Sequence, residues 1–199
     1  RLEDVFRLVR EWPVEAERLS RRFWPGPLTL VLPKTSVTPD LVTAGLPTVA
    51  IRMPRHLLAL ELIRRAGGAI AAPSANRFGY TSPTTVEHVY EQLGENVDFI
   101  LDGGPCEVGV ESTILAFEGG KPVLLRPGGT PVEEIEELIG PVQIMSLTRL
   151  SRPLAPGMLE RHYATHTPLQ LIPEHVPPPG PGRWGLLAFR TPTAGYEVV

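Results

Sequence analysis

Leu2, Val5, Phe6 and Val9 recur at the i, i+3, i+4, i+7 spacing of an amphipathic helix. Trp12-Pro13 interrupts that pattern, and a second helical stretch is expected over 14–23. Beyond it the pattern changes to short apolar runs bounded by Gly, Pro and Asp. These read as strands at 28–32, 48–52, 69–72, 97–101, 112–117, 123–126 and 142–145. Helical spacing returns at 55–66, 83–93 and 131–139. Short strands alternating with helices predict an α/β fold with a mixed sheet. Two helix starts carry capping chemistry. Ser82-Pro83 offers an N-cap with proline at the first helical position, and Thr130-Pro131-Val132-Glu133 adds a capping-box glutamate.

Composition narrows the class. A chain of 199 residues, 42% hydrophobic and 21% charged, is an ordinary globular protein of one domain, or one domain and part of another. No apolar run approaches the roughly 18 residues of a membrane span, and the first residues lack a signal-peptide core, so the expectation is a cytoplasmic protein with no membrane partner. The lone cysteine, Cys106, excludes an internal disulfide and any zinc site needing two cysteines of this chain. A net charge of −3 argues against a general nucleic-acid-coating protein. Eight acids and no Lys or Arg lie between Phe78 and Gly120, which reads as a solvated acidic face. Proline is the anomaly, at 23 residues of 199, against a usual share of about 5%. Nine of them fall between Pro153 and Pro192, and the run at 177–182 marks a connector, with a boundary there or just before it.

Four segments break strand and helix rules at predicted strand ends, where α/β sheets hold ligands. They are 23–29, Ala72-Pro73-Ser74-Ala75-Asn76, the glycine loop from Asp102-Gly103-Gly104 to Glu111-Ser112-Thr113, and Leu125-Arg126-Pro127-Gly128. Small residues let backbone amides and the Ser74 hydroxyl approach a phosphate or carboxylate. Arg52 and Arg126 each end an apolar run, and their planar guanidinium groups suit an anion. No Gly-x-Ser-x-Gly, His-Glu-x-x-His, P-loop or dinucleotide fingerprint occurs. His162 and His166 have helical metal spacing, but the nearby Pro168 argues for a loop, and Cys106 has no base beside it in sequence.

The ordered motifs Trp24-Pro25-Gly26-Pro27-Leu28-Thr29, Thr48-Val49-Ala50-Ile51-Arg52-Met53-Pro54, Pro73-Ser74-Ala75-Asn76, Asp102-Gly103-Gly104 with Glu111-Ser112-Thr113-Ile114, and Leu125-Arg126-Pro127-Gly128 resemble those of the YrdC-type threonylcarbamoyl-AMP synthases. Ala155-Pro156-Gly157-Met158 with Arg161-His162-Tyr163-Ala164 resembles the linker of the longer, two-domain form. Trp184 to Phe189 resembles the first strand of that form's Rossmann-like domain. The resemblance implies a catalytic domain at 1–145, a linker crossing the active site at 146–182 and the start of a second domain at 183–199. The family's opening strand and Lys-x-Arg segment have no counterpart before Arg1, so the chain is expected to be an internal piece of a longer one.

The fold so implied is a twisted mixed sheet with flanking helices around a concave basic cavity. The reaction implied joins L-threonine and bicarbonate or CO2 as a carbamate, which attacks the α-phosphate of ATP, with Mg2+, to give threonylcarbamoyl-AMP and pyrophosphate. A tRNA threonylcarbamoyl-transfer complex would use the product on adenosine 37. Carried over by motif, Arg52, Ala72 and Ser112 would hold L-threonine, and Thr48, Ser74, Ser82, Arg126 and Tyr163 would contact ATP. No side chain is assigned as nucleophile or base, and the metal ligands are left open. Two other readings share the fold: a module binding tRNA or double-stranded RNA without adenylate synthesis, and a hydrogenase-maturation carbamoyltransferase, whose zinc-finger cysteines are missing here.

Overall fold

The computed structural model describes residues 2–145, 170–172, 180–181 and 185–187. The chain divides into two compact units, 1–164 and 165–199. Only eight residues of the second are described, and the account below concerns the first. Helices α1 (Leu2–Leu8) and α2 (Val14–Phe23) lead into β1 (Leu28–Pro33) and β2 (Thr48–Ile51). After α3 (Leu57–Arg65) and α4 (Val86–Leu93) come β3 (Thr113–Glu118), β4 (Lys121–Arg126), α5 (Val132–Ile139) and β5 (Gln143–Ile144). The sheet runs β2-β1-β3-β4-β5. Strand β1 is antiparallel to β2 and parallel to β3, β4 is antiparallel to β3, and β5 is parallel to β4, so the sheet is mixed as expected.

Alternation along the strands sorts the two faces. Leu28, Leu30, Leu32, Val49, Leu115 and Leu124 pack with Val5, Val9, Ala16, Leu19 and Ile135, so α1, α2 and α5 cover one face. Val31, Ile114, Ala116, Val123 and Leu125 form a smaller cluster on the other face. Each fully buried leucine contributes about 1.5–3 kcal/mol, which makes the helix-covered face the main source of stability. No helix among the described residues is long and apolar enough to cross a membrane.

Several local expectations are corrected. The runs 69–72 and 97–101 form no strand. A strand exists only when a neighbour accepts its backbone groups, and neither run pairs with the sheet edges β2 and β5. Phe99 is consequently 91% exposed, and Ile70, Val97 and Leu101 are exposed as well. Helix α4 starts at Val86 with Thr85 as its N-cap, accepting from the His88 amide, in place of Ser82-Pro83. The α5 N-cap is Pro131 without a side-chain bond, so the Thr130 capping box does not form. The Thr130 carbonyl accepts from Thr113 Oγ1 at 2.6 Å, and its amide donates back to the same hydroxyl at 3.0 Å.

Helix α3 buries no side chain, and a helix this short is marginal on its own. Glu61 compensates by accepting from Arg64 at 2.7 and 2.6 Å and from Arg65 at 2.7 Å. Those bonds pull the Glu61 carboxyl from 4.5 down to about 2. A carboxyl lowered by folding stabilises the folded state above its unfolded pKa and loses that effect as pH falls through the folded value. Glu61→Gln should therefore lower stability at neutral pH, and the gap from the unaltered protein should close as pH falls toward 2. Urea melts at pH 7 and pH 2.5 measure this. An equal gap at both pH values would disprove it.

Candidate anion-binding site at the strand ends

Strand β1 turns Leu28 and Leu30 toward the helices, leaving Thr29 on the opposite face. Leu30 pairs with Ile51 in antiparallel register, so Arg52, one residue past β2, comes beside Thr29. Thr29 pairs with Ile114, and Ile114 with Arg126. Arg52, Thr29, Ile114 and Arg126 thus form a row across four adjacent chain segments.

The two arginines feel each other. Arg52 stays accessible from solvent. Loss of hydration around its guanidinium, with the charge of Arg126 as second cause, holds its pKa below the ordinary arginine value. The guanidinium of Arg52 nonetheless stays cationic at any working pH. Arg126 donates to the Ser112 carbonyl from Nε at 3.2 Å and from Nη2 at 2.9 Å, and Nη2 also reaches Ser112 Oγ at 3.4 Å. Ser112 Oγ lies 2.8 Å from Thr29 Oγ1 in a buried contact. Immediately upstream, the Glu111 carboxylate accepts from Ser82 Oγ at 2.7 Å, which brings the loop ahead of α4 to the same strand end.

Backbone contacts lock these loops. The Gly26 amide donates to the Met53 carbonyl, Thr113 to Pro27, and Gly129 to Glu111, at 2.8, 2.9 and 2.8 Å. Gly128 follows the Arg126-Pro127 turn so closely that a Cβ would lie 2.4–2.5 Å from the backbone of Glu111, Ser112 and Thr113. The glycine loop is tied back as well. His56 Nε2 meets the Gly103 carbonyl at 3.0 Å, and Arg55 pairs with Glu107 at 2.5 Å.

Of the predicted site residues, the structure gathers Arg52, Arg126, Ser112 and, through Glu111, Ser82. Thr48 pairs with Pro33 at the opposite end of β2 from Arg52, roughly 13 Å away at about 3.3 Å per residue. Ala72 and Ser74 are exposed, and neither has a hydrogen bond to this row among the described residues. Tyr163 lies outside the described residues. Two surface concavities lie elsewhere, one lined by Val86, Tyr90 and Ile100, the other by Arg22, Glu134 and Leu138. Sequence reasoning missed Thr29 and Glu111 as site residues. Their signals were a buried hydroxyl inside an apolar strand and an acid directly before Ser112.

Because backbone, not a flexible side chain, meets the missing Cβ, Gly128→Ala should cost about 1–3 kcal/mol of stability, as overpacking does. A urea midpoint identical to that of the unaltered protein would show that the 127–129 turn can shift freely.

Comparison with known proteins bears on this arrangement. A family profile described as "Telomere recombination", covering the Sua5, YciO and YrdC proteins, matches residues 1–128, and one described as "Threonylcarbamoyl-AMP synthase, C-terminal domain" matches residues 130–180. The threonylcarbamoyl-AMP synthase of Pyrococcus abyssi is 52% identical over 165 residues, covering 81% of this chain and 48% of the relative. That of Bacillus subtilis is 51% identical over 181 residues, covering 88% of this chain and 51% of the relative. The chain spans about half the length of these curated relatives. The crystal structure of P. abyssi Sua5 complexed with L-threonine superposes with a TM-score of 0.79 at 50% identity, over 82% of this chain and 49% of that one. Escherichia coli YciO, at 21% identity and a TM-score of 0.60 over 68% of this chain and 66% of its own, shares the fold. With its mixed sheet, its motifs in order and both profiles matched, the chain belongs to the Sua5–YciO–YrdC family.

Proposed function

We propose that this chain carries the threonylcarbamoyl-AMP synthase site, making threonylcarbamoyl-AMP and pyrophosphate from L-threonine, bicarbonate or CO2, and ATP. The observation that supports it best is the arginine pair. Two like charges in one row oppose each other, and an anionic ligand between them relieves that opposition. The proposed reaction brings two anions to one place, the threonine carboxylate and the triphosphate. The hydrogen bonds of Arg126 to Ser112 fit a compound site of that kind, since one residue is assigned to nucleotide and the other to amino acid.

In this reading Arg52, with Ser112 and Ala72, holds the threonine carboxylate. Arg126, Ser82, Ser74 and Thr48 hold ATP, and Tyr163 closes over the nucleotide. The threonine amine and bicarbonate condense to a carbamate with loss of water. A carbamate oxygen then bonds to the α-phosphorus, and the bond from that phosphorus to the α,β-bridging oxygen breaks as pyrophosphate leaves. The chain contributes position and positive charge, which is what phosphoryl transfer draws on. Mg2+ would come with ATP. Among the described residues no three His, Cys, Asp or Glu gather to hold a metal. Glu111, beside Ser82, would be the ion's protein carboxylate. When bound, it would neutralise triphosphate charge. The product would pass, in the cytoplasm, to a complex that modifies adenosine 37 of tRNA, with at most weak contact between tRNA and this chain.

Calorimetry on the full-length protein separates the two arginines. Removing a charge-assisted contact costs about 1.5–3 kcal/mol, or roughly 10–150-fold in affinity. Arg126→Ala should weaken ATP binding to that extent and Arg52→Ala should weaken threonine binding, each with the other ligand little changed. Unchanged affinities in both variants would refute the site, and the reverse pattern would exchange the two roles.

A further inference from the structure

Thr29 and Ser112 are each 8% exposed, and their hydroxyl oxygens lie 2.8 Å apart. Two hydroxyls sharing one hydrogen bond hold two protons between them, so one proton is left to serve another acceptor. Either oxygen can be the donor of the shared bond. Arg126 constrains the choice, because its Nη2 can only donate and takes one lone pair of Ser112 Oγ at 3.4 Å. If Ser112 donated to Thr29, Ser112 would present only its remaining lone pair to the site, beside two arginines. An anion at Ser112 would meet that lone pair, which repels it, while the spare proton stayed on Thr29 Oγ1. If Thr29 donates to Ser112, both lone pairs of Ser112 Oγ are filled, and its own proton is the group left to give.

We infer that Thr29 is a positioning residue, donating to Ser112 Oγ so that the Ser112 hydroxyl is presented as a hydrogen-bond donor to an anionic ligand between Arg52 and Arg126. Thr29 is suited to the task by its place. It lies on β1 with a neighbouring strand on each side, and its backbone is paired with Ile114. Its β-branched side chain has little χ1 freedom. The hydroxyl is therefore held before any ligand arrives, and binding does not bear the cost of ordering it. The inference rests on the reading of Ser112 as a contact of the threonine carboxylate, and it makes Thr29 a determinant of amino-acid affinity with no contact of its own to the ligand.

The test uses the full-length protein, with L-threonine and ATP affinities measured separately by calorimetry and thermal melts as a folding control. Thr29→Val keeps size, branching and strand preference while removing the hydroxyl, and Thr29→Ser restores the hydroxyl. Thr29→Val should weaken threonine binding roughly tenfold with ATP affinity unchanged, and Thr29→Ser should recover most of the loss. Ser112→Ala should weaken threonine binding comparably. The double variant Ser112→Ala with Thr29→Val should bind no worse than Ser112→Ala alone, because both changes remove one and the same donor. A weakened Ser112→Ala beside a Thr29→Val of native affinity would overturn the positioning role while leaving the threonine reading intact. Native threonine affinity in Ser112→Ala would remove the threonine reading itself, and the inference with it. Parallel loss of ATP affinity in Thr29→Val would mark a general disturbance of the strand end and would also overturn the proposal.

Discussion

Parallel pairing of β1 with β3 is the constraint on which the strand-end site depends. That register sets Thr29 beside Ile114 and Leu28 beside Thr113, so Ser112, just ahead of β3, comes within reach of the Thr29 hydroxyl. A slip of one residue would turn Thr29 toward the helices and Leu30 toward the arginines, since side chains alternate along a strand. The helix-covered face prevents the slip. Leu28, Leu30 and Leu32 are fully buried against α1, α2 and α5, and exposing three leucines would cost several kcal/mol, at about 1.5–3 each. The apolar core thereby holds a polar arrangement that has little stability of its own.

Elements whose burial is completed within the described sheet were legible in the sequence. The predicted strands at 28–32, 48–52, 112–117 and 123–126 correspond to β1 to β4, and the run at 142–145 contains β5. Their apolar residues find partners on both sides or against a helix. The runs 69–72 and 97–101 carry similar apolar content, yet among the described residues they pair with no strand, and periodicity describes only what a segment offers. The same limit explains the helix starts. Ser82 and Thr130 sit where local preference would use a hydroxyl as a cap. In the fold Ser82 Oγ bonds to Glu111, while Thr130 exchanges its backbone bonds with the Thr113 side chain. Both losses come from residues distant in sequence, which local rules do not see.

Part of the site was readable for a different reason. Arg52 and Arg126 stand out because each interrupts an apolar run at its end, and Ser112 because it opens one after a glycine loop. Which of these residues meet is a property of topology, decided by the order β2-β1-β3-β4. Thr29 escaped as a site residue because one hydroxyl in a strand is ordinary. Its meaning appears only when β3 supplies Ser112 and β4 supplies Arg126. Thr48 shows the converse, since its motif adjoins Arg52 in sequence while the strand carries it to the far end.

The energetic logic of the strand end follows from its composition. Bringing Arg52 toward Arg126 costs hydration and adds repulsion, and a fold selected for stability alone would separate them. The cost is borne in the unliganded protein, offset by the Arg126 bonds to the Ser112 carbonyl and by the core beneath. Under the proposed function an arriving anion would meet donors that are already oriented, so little reorganisation would oppose binding. For the reaction proposed above, which would add charge to phosphate oxygens without a covalent enzyme intermediate, such a fixed cationic row would be the part of catalysis a protein can supply. Ser112 links the two halves of that row. Its carbonyl and hydroxyl both take Arg126, and its hydroxyl meets Thr29, the residue beside Arg52.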